Sequence, residues 1–337
     1  MLANSSTVNH KKQWFISSKI DQFFLFFLTP IASILLVIMM LFGIPELVGI
    51  LILGVIVDIP HQVQTHLLLL SNSENFNKHK SIYFGSLVVI FSICCIFAAL
   101  GMIIVPVTFW AYWIIYHVVM QHFGLAAVYA RRNGYLGSTN TLKFIILLGS
   151  IAPITFRMAT TGLTFGTPIQ GIEIITPQIP VIIPYCLYII SGVFLLYSVY
   201  TQYIIGKFKL PIISNCIMLY TLAQYNLFFL LEKDLLVFLI FSTLIHAIQY
   251  HLIAGAKIFN SVKKLYSSPA TKIEINQEFV RYIISNNIIW PLFVILVSLF
   301  IFIGNSISYG VIPLTWAMHH FFLDGVIWKR QHSHMNS

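Results

Sequence analysis

Long apolar runs, separated by short polar segments, follow one another along almost the whole chain. Because about 20 apolar residues cross the hydrocarbon of a bilayer as an α-helix, each run predicts a membrane span. The breaks carry residues that end helices, such as Gly43 with Pro45 and Gly304 with Asn305. The pattern predicts about ten spans: 22–43, 46–70, 82–104, 107–130, 141–162, 181–205, 210–231, 234–255, 283–304 and 310–328.

These spans predict an all-α fold, a polytopic integral membrane helix bundle with one transmembrane domain over 22–328. The composition agrees, because 58% of the 337 residues are hydrophobic and only 9% are charged. A soluble domain has about 25% charged residues. The four cysteines lie in apolar runs without the spacing of a zinc or redox motif, and we expect them to be packing residues.

The basic residues indicate the orientation. With ten spans they fall on one side of the membrane, and an excess of Lys and Arg marks the cytoplasmic side. Both tails, 1–21 and 329–337, are therefore expected in the cytoplasm, in a bacterial inner membrane. The basic residues that close spans explain the net charge of +9 without a nucleic-acid partner. They include Lys78, Lys80, Arg131, Arg132, Lys207, Lys209, Lys257, Lys329 and Arg330.

Eight of the twelve histidines lie inside predicted spans, two on each of the second, fourth, eighth and tenth. A single buried histidine is usually a hydrogen-bonded packing residue. Repeated pairs are different, because ionisable residues in lipid are costly and usually face the bundle interior. The pattern predicts a shared metal site, with a proton relay or a hydrogen-bonded core as the alternatives. The proposed ligands are His61, His66, His117, His122, His246, His251, His319 and His320, with Asp324.

Counting back from the residue that closes each span places the ligands at two depths in the cytoplasmic half. The outer layer, roughly 15–20 Å from the inner boundary, is His61, His117, His246 and His319. The inner layer is His66, His122, His251 and Asp324. Residues i and i+5 point about 140° apart on an α-helix. Either a local π-turn brings each pair together, or the two layers hold separate metal ions.

Eight imidazoles exceed what one ion can bind, so two metal ions are expected. Histidine with one carboxylate suits iron, and also zinc, manganese or copper. A ligating histidine usually donates its other N–H to a neighbouring polar group. No motif for another bound cofactor is recognised. The candidates for accepting such an N–H group, or for a catalytic role, are Asp58, Gln62, Tyr116, Gln121, Gln249 and Tyr250, with Gln64 beside them.

The stretches "HQVQTH", "HVVMQH" and "HAIQYH", with "HH" at 319–320, resemble the histidine boxes of membrane-bound non-haem di-iron desaturases and hydroxylases. Residues 61–66 match the first box of that family, H-x3–4-H. The later boxes differ, since Trp316 and Ala317 stand where the family has histidine or glutamine. "HFG" at 122–124 more distantly resembles the bacterial membrane carotenoid-cleaving oxygenases.

The resemblance implies a di-iron oxidoreductase that uses dioxygen on a lipid, isoprenoid or other apolar substrate, with an electron donor and the bilayer as partners. Two other functions stay open. Polar residues inside spans also mark metal-ion or proton transporters, although the outer halves of the histidine helices are nearly all apolar. A zinc-dependent intramembrane hydrolase would use three histidines and an open position. A haem held by histidines on facing helices is a further alternative.

Overall fold

The structure is a computed structural model that describes residues 13–41, 59–70, 73–163, 174–206, 209–231, 235–265 and 306–334. Within these ranges the chain is helical and contains no strand, which confirms the all-α prediction. The helices are α1 (Ser18–Gln22), α2 (Thr29–Leu41), α3 (Ile59–Leu70), α4 (Ser73–Ala99), α5 (Ile104–Arg132), α6 (Asn140–Thr160), α7 (Ile182–Val199), α8 (Ile212–Leu231), α9 (Leu235–Leu265) and α10 (Ser306–His334). Two π-helical segments, Phe23–Leu28 and Tyr200–Ile204, extend α1 and α7.

Five helical segments in the described ranges are long and apolar enough to cross a membrane: Phe76–Ala99, Ile104–Arg132, Asn140–Thr160, Ile182–Ile204 and Ile212–Phe229. They agree with an integral membrane protein. α4 begins at Ser73, whereas the predicted span begins at residue 82. The difference arises because the polar residues that precede the apolar run also belong to the helix. The predicted span 283–304 and residues 46–58 lie outside the described residues.

The chain divides into two compact units. The first consists of Met1–Leu28, Tyr116–Gly166 and Thr176–Phe238, and the second of Thr29–Ile115, Thr167–Ile175 and Leu239–Ser337. The first therefore holds α6, α7 and α8 with the later part of α5. The second holds α2, α3, α4 and α10 with most of α9.

In the first unit, α6 packs against α7 and α8. Gly149 allows the close approach, because a Cβ there would lie 2.4 Å from Leu222 Cδ2 and 2.9 Å from Ser191 Oγ. Asn226 donates its amide Nδ2 to the Gly149 carbonyl at 3.2 Å, and Tyr188 donates to the Asn226 side chain at 3.0 Å. Small residues and polar contacts of this kind typically join membrane helices.

Residues 13–21, which lie within the predicted N-terminal tail 1–21, are folded as part of the first unit. Asp21 is fully buried and accepts the backbone N–H groups of Phe15, Ile16 and Ser17. It also accepts the Tyr129 hydroxyl at 2.7 Å. A carboxylate with several donors is well stabilised when buried, so this residue anchors the segment.

In the second unit, α10 packs against α4 and α3. The interface between α4 and α10 has an apolar core of Ile90, Cys94, Val311, Leu314 and Met318. Cys94 is a packing residue, as predicted, whereas Cys186 in the first unit is exposed. The contacts of α10 place its polar residues against those of α3, which forms the site described next.

Candidate metal centre

Three histidines from three helices converge in the interior of the second unit. His61 on α3, His246 on α9 and His320 on α10 are each at most 1% exposed. The Nε2 of His61 lies 3.0 Å from the Nε2 of His320 and 3.1 Å from the Nε2 of His246. One ligand nitrogen from each of the three lies within 4.8 Å of the other two, as in a metal site. We call these residues the three-histidine cluster.

A hydrogen bond between two of the rings accounts for only one of the two contacts of His61. A neutral imidazole nitrogen carries either a proton or a lone pair, so the Nε2 of His61 cannot bond fully to both neighbours. A metal ion, in contrast, accepts all three lone pairs. Nitrogen ligands about 2.1 Å from an ion lie about 3.0 Å apart at a right angle and about 3.4 Å apart in a tetrahedron. The distances of 3.0 and 3.1 Å fit the right angle.

A carboxylate stands beside the cluster. Asp324, one helical turn after His320, is 2% exposed, and its Oδ2 lies 3.7 Å from the Nε2 of His320. Its Oδ1 accepts the hydroxyl of Thr65 at 2.9 Å and that of Tyr250 at 3.2 Å. The two hydroxyl oxygens are themselves 2.6 Å apart. This network fixes the carboxylate so that one oxygen remains directed toward His320.

Tyr250 also packs against the cluster. Its ring centroid lies 5.5 Å from that of His61, 6.1 Å from His320 and 6.4 Å from His246. The side chain is fully buried. One residue therefore restricts the orientation of three imidazoles and binds the neighbouring carboxylate.

The two histidines of a predicted pair have different contacts. His66 and His319 form a second group with Tyr83, with the imidazole centroids 5.3 Å apart. His251 lies 3.0 Å from Gln64, with its Nδ1 facing the amide oxygen. The cluster thus takes His320 rather than His319, which corrects the predicted layers. Adjacent residues point about 100° apart on a helix, and counting depth does not detect that difference.

No π-turn joins the i+5 pair on α3. Residues Ile59–Leu70 form an α-helix throughout, and the π-helical segments Phe23–Leu28 and Tyr200–Ile204 carry no histidine. His61 and His66 therefore point to different neighbours. The first alternative, a π-turn, therefore does not hold for this pair, and separate metal ions stay a prediction.

The remaining predicted residues have varied positions. His117, Gln121 and His122 lie on the part of α5 that belongs to the first unit, and His122 is fully buried there. Tyr116 is 49% exposed. Gln62 and Gln249 are buried in the second unit. Asp58 lies outside the described residues.

Four residues of these networks are not predicted from the sequence: Thr65, Tyr83, Ser86 and Trp316. Thr65 follows His61 by one helical turn within "HQVQTH", so the sequence alone places it on the same face of the helix as that histidine. Tyr83 and Ser86 lie on α4, whose predicted span has no histidine. Hydroxyl groups are frequent in membrane helices and do not by themselves indicate a site.

No family model, curated protein or solved structure matches the chain.

Proposed function

We propose that the chain is a membrane-embedded metalloenzyme, an oxygen-dependent oxidoreductase whose principal metal ion binds the three-histidine cluster. The convergence of the Nε2 atoms of His61, His246 and His320 is the observation that carries this proposal. A buried carboxylate beside such a group offsets the charge of a cation in an apolar interior. Asp324 is placed to do so.

Iron is the metal that best suits this set. The right-angle spacing of the nitrogens favours an ion with five or six ligands over tetrahedral zinc. Histidines with a carboxylate and open positions are typical of non-haem iron sites that activate dioxygen. In a hydroxylation, one oxygen atom enters a C–H bond, and the other leaves as water with two electrons and two protons from an external donor. The function requires the ion at the three-histidine cluster, and the histidine count predicts two ions in all.

The second unit supports an apolar substrate. An open groove of about 310 Å³ lies between α4 and α10, at the lower end of the range of small-molecule pockets, and Val88 in its lining is 62% exposed. Its lining is Leu87, Val88, Phe91, Ile312, Thr315 and Trp316. The Trp316 ring stacks on His66 with centroids 4.0 Å apart. A hydrocarbon chain bound there would contact Trp316, whose ring separates it from His66.

Metal analysis of purified protein tests the site. Alanine at His61, His246 or His320 is expected to remove about one ion per folded chain, because a ligand is lost. Gln202→Ala is the matched control, since Gln202 is a buried polar residue hydrogen-bonded in the first unit. Full metal content in all three histidine variants would overturn the proposal.

Two functional measurements separate the enzyme from the alternatives. Iron-loaded protein with lipid or isoprenoid substrates and a reductant is expected to consume dioxygen, and the His246→Ala variant is not. Proteoliposomes are expected to retain the metal without transmembrane flux. Metal uptake into the vesicles that the same variant abolishes would show a transporter instead, and a tightly bound zinc ion with hydrolysis would show a hydrolase.

A further inference from the structure

His66 and His319 form a second pair of buried imidazoles in the second unit. They are 3% and 0% exposed, and their ring centroids lie 5.3 Å apart. Tyr83 contacts both, because its hydroxyl lies 3.0 Å from His66 Nδ1 and its backbone carbonyl lies 3.0 Å from His319 Nε2. Each histidine thus has one nitrogen engaged with an oxygen atom of the same tyrosine.

The partners of His319 fix its proton. The Tyr83 carbonyl can only accept a hydrogen bond, so His319 Nε2 must donate. Ser86 Oγ lies 3.1 Å from the same nitrogen, and its own proton is directed to the Ile82 carbonyl at 2.6 Å. Both contacts therefore require Nε2–H. In the neutral ring, His319 Nδ1 is then a bare lone pair.

The other nitrogens of the pair are buried and lack a hydrogen-bond partner among the described residues: His319 Nδ1 and His66 Nε2. A buried lone pair without a donor is costly. His66 can supply a second lone pair at Nε2 when its Nδ1–H donates to the Tyr83 hydroxyl. A histidine that binds a metal usually has this form, with the other nitrogen donating to an oxygen.

We propose that His66 Nε2 and His319 Nδ1 bind a transition-metal cation separate from the ion of the three-histidine cluster. Both ligands are neutral, so they do not offset the charge of the ion, and charge is costly in a membrane interior. The site therefore suits the monovalent ion Cu(I), and Fe(II) is the comparison. Tyr83 is a positioning residue that orients both rings. The existence of this site does not depend on the proposed oxidoreductase.

The adjacent histidines of α10 explain how two sites are built from few helices. His319 and His320 point about 100° apart, and His61 and His66 on α3 point about 140° apart. Each of these two helices therefore gives one ligand to each site. The i+5 spacing, which no single face of an α-helix accommodates, therefore agrees with two sites, as the adjacent histidines of α10 do.

Metal stoichiometry tests the proposal on the full-length protein, stripped with a chelator and reloaded without oxygen. One series is loaded with Fe(II) and a second with Cu(I), which distinguishes the two cations. We expect about two ions per chain in the wild type with the preferred metal. His66→Ala and His319→Ala are each expected to lose the same single ion, and His61→Ala the other one. X-ray absorption of His61→Ala protein is expected to show imidazole scattering from the remaining ion.

Two further variants keep the test decisive if an alanine variant misfolds. His66→Gln and His319→Gln retain the volume and a polar end, and each is expected to lose the ion. Tyr83→Phe keeps the backbone contact to His319 and is expected to weaken the ion about 10- to 100-fold, the range for loss of a supporting group. The proposal is wrong if the His66→Gln/His319→Gln double variant retains about two ions. Loss of metal in these variants alone, with the three-histidine variants fully loaded, would keep this site and overturn the proposed function.

Discussion

Buried polar side chains have different partners in the two units. In the first unit several of them bond to the backbone of neighbouring helices, as Asn226 does to Gly149 and Ser214 does to Ala126. In the second unit they converge on one another, as His61 does on His246 and His320. A side chain that donates to a carbonyl is satisfied by that contact. The Nε2 of His61 instead faces ring nitrogens of His246 and His320, where we propose that a metal ion binds.

The comparison gives a criterion for reading buried polar residues in membrane helices. Contacts to backbone carbonyls indicate helix packing, and converging side-chain nitrogens and oxygens indicate a binding site. With the proposed metal site, we expect changes in the first unit to alter the free energy of unfolding and changes in the second unit to alter metal affinity.

The largest effect is expected from Gly149→Leu in the first unit. Its new side chain would meet Leu222 and Ser191 in a closed interface, and we expect a cost of about 3 kcal/mol, the upper end of the usual range for overpacking, because the Cβ alone would lie 2.4 Å from Leu222. Gly192→Leu is the control, because a Cβ at Gly192 meets nothing within 4 Å. Unfolding in mixed micelles measures the difference. Equal stability of the two variants would mean that α6 does not pack closely on its neighbours.

Asp324→Asn should come next, with metal binding weakened about 100-fold, or about 2.7 kcal/mol, because the charge beside His320 is lost. Asp21→Asn is the matched control, since Asp21 is also buried but bonds to backbone N–H groups and Tyr129. The control is expected to lower stability and leave metal affinity unchanged. Chelator competition measures the affinity. A larger affinity loss in the control would contradict the separation of roles.

The sequence predicts which residues are candidates for the site, but it does not predict which of them meet. Lipid makes polar residues costly, so the histidines are recognised as functional candidates without a structure. The choice between His319 and His320 is different. They differ by about 1.5 Å in depth and about 100° in direction, and only the rotation of α10 about its axis decides which one meets His61.

The fold, like the site, is predicted in some features and not in others. Helical segments such as Asn140–Thr160 are predicted from apolar runs, because a bilayer demands them. Helix ends are less predictable, as α4 shows, because the polar residues from Ser73 continue the helix beyond its apolar run. The supporting hydroxyl groups of Thr65 and Tyr83 carry no periodic signal. Their roles depend on which helices are neighbours.

Tyr250→Phe should give a smaller change, about tenfold weaker metal binding. The ring that packs on the three histidines stays, and only the hydroxyl that bonds Thr65 and Asp324 is lost. Tyr225→Phe is the control, because Tyr225 is equally buried in the first unit and its hydroxyl has no hydrogen-bond partner among the described residues. Competition titration checks both variants. Weakening by Tyr225→Phe to the same extent would show that the effect is not specific to the site.

The smallest effect is expected where a polar side chain only joins helices. Asn226→Ala removes the bond to the Gly149 carbonyl and the acceptor of Tyr188. Such bonds between membrane helices average about 0.6 kcal/mol, because the separated helices also find polar partners. A double-mutant cycle with Tyr188→Phe isolates the side-chain pair, and its coupling is expected at or below that value. A coupling of several kcal/mol, or a loss of metal, would make Asn226 part of a binding network and remove the contrast between the units.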